Sequence, residues 1–168
     1  MIAPFLLLFV TWGLLELNRN YFQVEPVILQ AYHKKDLEAL VGMIQDPEFN
    51  PWQQRNAIMY AARLHCVREA SFVQNALKDP KIESRTGLFE GCFSLDWEEA
   101  SWIVPYSLQD PTLSYNRLLG MEYLEKEGKV RDFSAWILAA AESDGSMMVK
   151  NAAQSLVRRH ELKPSSQK

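Results

Sequence analysis

Few residues in this chain are of types that do chemistry, and their spacing argues against a shared site. Cys66 and Cys92 lie 26 residues apart in apolar stretches, with no CxxC pair and no Cys/His cluster around them, so a zinc site is not expected. They read either as two buried small hydrophobes or as a disulfide, the latter only if neighbouring helices bring them together. His33, His65 and His160 fall in separate segments, too scattered to ligate one metal. The acids Asp96, Glu98, Glu99, Glu122, Glu125 and Glu127 read as solvated helix faces, since nothing concave and apolar surrounds them in sequence to shift a pKa. No Gly-rich phosphate loop, HExxH, GxSxG or EF-hand pattern occurs. No catalytic, cofactor-binding or metal residue is expected, and a protein without an enzymatic activity is the better reading.

The elements that would carry any site are helical. The chain has 168 residues, 48% of them hydrophobic and 23% charged, enough for one domain with a real core. Only seven glycines are present and no long stretch alternates apolar with polar residues, so the expectation is an all-α fold. Eighteen basic against 21 acidic residues leave a net charge of −3, which offers phosphates no general attraction and makes nucleic acid an unfavoured partner.

The first residues differ from the rest. Ile2 to Leu17 is an apolar run broken only by Glu16. As a helix it would reach about 24 Å, against about 30 Å of bilayer hydrocarbon. It lacks the basic start and small-residue cleavage site of a secretory signal. A membrane anchor fits better, flanked by Trp12, Arg19 and Tyr21; a helix capping the domain or buried in a partner subunit is the other reading. The basic residues Arg19, Lys34 and Lys35 all follow the run, which favours a cytoplasmic body by the positive-inside rule. The alternative is an extracytoplasmic body behind an uncleaved signal anchor.

Beyond a connector at 21–34, a repeat is visible. Asp46-Pro47, Asp79-Pro80, Asp110-Pro111 and Asp144-Gly145 recur at intervals of 33, 31 and 34 residues, and a basic residue follows each: Arg55, Arg85, Arg117 and Lys150. Proline ends one helix and suits the first turn of the next, while the aspartate accepts bonds from the free amides at the corner. Helix pairs are therefore predicted at 35–45 with 52–65, 69–78 with 83–95, 98–109 with 113–127, and 131–142 with 147–160. Small residues such as Ala57, Ala61, Gly87, Gly91 and Ala152 suggest close approach between helices. Residues 163–168 read as a frayed tail.

The pattern over residues 35–160 resembles HEAT-like repeats of the armadillo-type α-solenoid class, in the short variety seen in bilin-lyase-related proteins. The resemblance implies a right-handed α-solenoid of about four helical hairpins at 35–162, preceded by the N-terminal hydrophobic helix at 1–20. It also implies that the aspartates and basic residues form a structural ladder. Such folds bind partners on their second helices. The residues proposed for that surface are Gln54, Tyr60, Arg63, Glu90, Tyr115, Glu122, Tyr123, Gln154 and Arg158. The expected partner is another protein or subunit, with residues 2–17 in the membrane; the resemblance also raises tetrapyrrole or bilin handling as an alternative. Trp97 and Trp102 are expected to pack the core more than to form an interface, as is Trp52.

Overall fold

A computed structural model describes residues 25–163. The apolar run at 2–17 and the last five residues lie outside the described part. Within it the chain is all-helical. Helix α1 (Glu25–His33) occupies part of the expected connector and packs on the first hairpin, formed by α2 (Leu37–Gln45) and α3 (Pro51–Leu64). Helices α4 (Ser71–Lys78) and α5 (Ile82–Cys92) make the second pair. The third has a broken first half, α6 (Trp97–Ala100), a 3-10 turn and α7 (Val104–Leu108), before α8 (Ser114–Lys126). The fourth is α9 (Ser134–Ser143), entered through a 3-10 turn, and α10 (Met147–His160).

The four predicted pairs are present, and the corners show why. In each, the aspartate side chain accepts a bond from the backbone N–H two residues on: Asp46 from Glu48 (2.9 Å), Asp79 from Lys81 (2.9 Å), Asp110 from Thr112 (2.9 Å) and Asp144 from Ser146 (2.8 Å). This fixes the turn and satisfies an amide that the next helix leaves open. The first corner is longer, and Asn50 caps α3 reciprocally with Gln53, with Pro51 opening the helix. One prediction needs correction: residues 98–109 are not a single helix. Pro105 has no N–H to give to the preceding turn, and the segment breaks into two short helices around a 3-10 turn.

The second helices α3, α5, α8 and α10 pack on one another in that order, each also against the first helix of its own pair. Between them lies one core that includes Leu40, Ile58, Leu88, Phe89, Ile103, Leu124, Ile137 and Val149, all essentially without solvent contact. Helices α3 and α5 approach each other closely. A Cβ on Gly87 would stand 2.4 Å from the Arg55 carbonyl oxygen, and one on Gly91 2.4 Å from that of Met59. At the far end of the same contact Cys66 and Cys92 are joined as a disulfide, Cα to Cα 5.5 Å, which corrects the reading of two buried thiols. Trp102 donates its indole N–H to the Cys66 carbonyl (3.3 Å) and, like Trp97 against Tyr123 and Phe133, belongs to the packed interior. Trp52 does not: it is 43% exposed, beneath the guanidinium of Arg55.

The aspartates and basic residues form rungs in the middle of the chain only. Arg85 donates through Nη1 to the carbonyl of Asp79, its own corner, and through Nε to the carboxylate of Asp110, the next corner (2.9 Å). Arg117 repeats the arrangement one pair later, reaching the Asp110 carbonyl (2.6 Å) and both carboxylate oxygens of Asp144 (2.9 Å each). The two ends differ. Arg55 turns away to Glu90, Gln54 takes the Asp46 carbonyl (3.1 Å), and Asp79 receives the Ser84 hydroxyl instead of a guanidinium (2.7 Å). Lys150 has no ion pair among the described residues.

Candidate functional site

Three second helices present side chains to one open groove of about 660 Å³. Arg55, Met59 and Arg63 recur every four residues and so form one stripe of α3; Leu119, Glu122 and Lys126, spaced three and four apart, form one on α8, and Glu90 and Phe93 come from α5 and its end. Met59, Phe93 and Leu119 give the groove apolar lining, among the charged side chains of Arg55, Arg63, Glu90, Glu122 and Lys126.

Those charges are unevenly satisfied. Arg55 Nη2 meets both Glu90 oxygens at 2.5 Å, and the two side chains are only 13% and 16% exposed. Desolvating both ions is costly, and the close contact of Nη2 with both carboxylate oxygens is what offsets that cost. Tyr115 adds its hydroxyl to Glu90 (3.2 Å), and burial, then the neighbouring Glu90 charge, raises its pKa. Arg63 has no such counterion among the described residues. Its guanidinium lies 5.2 Å from the Tyr60 ring centre, Nη2 touches the Met59 sulfur at 3.7 Å, and Nε is buried without an acceptor, as is Nε of Arg55. Glu122 is exposed and, among the described residues, in no ion pair. A guanidinium and a carboxylate, neither in an ion pair among the described residues, thus line the groove together with apolar side chains. This combination suits binding a side chain-bearing surface, with a thioether that adapts to shape.

Of the residues singled out in the sequence, Arg63, Glu90, Glu122 and Tyr123 meet at this groove, and Tyr115 reaches it through Glu90. Tyr123 was expected on the surface and is instead buried at 3% exposure, stacked on Phe93 (4.6 Å) with its hydroxyl on the Leu95 carbonyl (3.2 Å). Burial, then the charges of Glu127 and Asp96, pushes its pKa up to about 12. Tyr60 packs on Tyr32 of α1. Gln54 lines a separate cleft at the first corner, and Gln154 and Arg158 lie at the far end of the molecule. Met59, Phe93 and Leu119 were not foreseen as site residues, though the four-residue recurrence of Arg55, Met59 and Arg63 carried the signal.

Among the described residues no grouping of three or more His, Cys, Asp or Glu could hold a metal ion, and no helix is long and apolar enough to cross a membrane. Set beside protein-family models, curated proteins and solved structures, the chain matches none.

Proposed function

We propose that this chain is a non-enzymatic binding scaffold, a short α-solenoid of HEAT-like repeats that docks a helix of another protein in the α3–α5–α8 groove. The observation that carries the reading is Arg63, a partly buried cation with no counterion among the described residues, beside an apolar lining. A partner helix placing an acid on Arg63, a base on Glu122 and apolar side chains over Met59, Phe93 and Leu119 would satisfy all of these at once. The stacking of successive second helices and the two Arg–Asp rungs support the repeat reading.

The apolar run at 2–17 is the tether in this proposal, and the body stands on the oxidising side of the membrane. The Cys66–Cys92 disulfide supports that side over the cytoplasm, where thiols are kept reduced. It is weightier than three basic residues after the apolar run.

Affinity purification of the full chain from native membranes, with Arg63→Glu and Glu122→Lys in parallel, tests the groove. A protein recovered with the parent chain and lost with both variants supports it. Equal recovery with all three chains would place the docking surface elsewhere. Protease protection of a C-terminal tag reports the side: cleavage from the cytoplasmic face would remove the extracytoplasmic reading.

A further inference from the structure

Helix α9 reads SAWILAAAES, yet of its ten residues only Ile137 is buried. Ala140 and Ala141 pack partly against the core, while Ala135, Trp136 and Ala139 are exposed and leave an apolar strip open to solvent. Its uncovered side forms, with α10, a shallow groove of about 670 Å³ whose surface is Leu138, Ala139, Ala141 and Val157, edged by Glu142 and Arg158. Neither of these two charged residues has an ion pair among the described residues, and both are exposed. Lys150, partly buried, also has no ion pair among the described residues, at the place in the corner pattern where Arg85 and Arg117 each reach the next aspartate.

We infer that this end face is a self-association surface, occupied by the same face of a second copy about a two-fold axis. A two-fold contact must be self-complementary, each patch supplying what the other lacks. This patch carries one carboxylate and one guanidinium on an apolar ground, so pairing it with itself gives Glu142 to Arg158 twice. A partner of a single charge sign would leave one of the two desolvated and unpaired, a costly outcome. Alanines at 139 and 141 offer little side chain to hold two α9 helices apart. The contact is independent of the α3–α5–α8 groove, so a dimer would present two docking grooves.

Sedimentation equilibrium of the full chain in density-matched detergent tests this. The expected protein mass is twice 19.4 kDa at micromolar concentration. Glu142→Lys or Arg158→Glu alone should raise the dimer dissociation constant on the order of tenfold or more, and the two together should return it close to the parent value. Far-UV circular dichroism checks that each variant folds; Glu142→Gln and Arg158→Gln replace any that does not, and should each weaken the dimer several-fold. A chain that stays monomeric overturns the inference. So does a dimer indifferent to the single reversals, which would place the contact elsewhere, or a double reversal that restores nothing.

Discussion

Asp110 is where the residue scale shows most. It is 2% exposed, and burial works to raise its pKa. Bonds from the Leu113 and Thr112 backbone, the Asn116 amide and the Thr112 hydroxyl outweigh that and bring it down to about 2, with Arg85 alongside. A carboxyl depressed in the folded state contributes stability above its unfolded pKa of 3.8 and loses it as pH falls through the folded value. Thermal melts between pH 5 and about 2 should therefore lose about 2 kcal/mol on this account, and Asp110→Asn should flatten that dependence. At pH 7 the same substitution should cost about 3 kcal/mol by denaturant titration, because it leaves the Arg85 guanidinium buried beside a neutral group. The corner role of the aspartates was legible, since Asp followed by Pro names an acceptor before a helix start. The step from Arg85 to the following corner was not. It depends on how far one helix pair is offset from the next, and that offset is set by packing. Arg55 shows the difference, because Glu90 draws it away from the place its spacing assigned.

At the scale of elements, the α3–α5 contact is governed by absent atoms. Alanine is favoured over glycine in a helix by about 1 kcal/mol, so Gly91→Ala would be stabilising in isolation. Here the new Cβ would come within 2.4 Å of a backbone oxygen and 2.6 Å of the Ala62 Cβ, neither of which can swing aside. The expected net effect is a loss of about 2 kcal/mol, read as a lower midpoint in urea with unchanged slope. The disulfide at the end of this contact closes a loop of 26 residues, and Cys66→Ala with Cys92→Ala should cost about 3.5 kcal/mol. Thiol titration of the protein denatured without reductant should find no free cysteine. Small residues at helical spacing announced the close approach; the bond itself could not be read, because two cysteines in different helices pair only once α3 and α5 are known neighbours. The broken α6–α7 segment was missed for a simpler reason, as Pro105 sits where an apolar periodicity continues on both sides.

The whole molecule was legible as a count of helix pairs and their order, since period, proline and aspartate all repeat. Its α3–α5–α8 groove was not, because Met59, Phe93 and Leu119 come from three separate helix pairs and only stacking aligns them. The same stacking is held unequally along its length. Between α3 and α5 there are glycine contacts, the Arg55–Glu90 pair and a covalent bond, whereas the C-terminal hairpin is joined to α8 through Arg117 and the corner residue Asp144, an exposed Arg159–Glu125 pair and a modest apolar seam. Opening should thus begin at the C-terminal hairpin, with amides of α9 and α10 exchanging with deuterium ahead of those in α3 and α5. A limiting dose of protease should nick first around Gly128–Asp132 and trim back to a resistant fragment ending in α8. The crosslink makes the N-terminal half a fixed platform, and whatever the far hairpin touches will meet the part of the protein most able to yield.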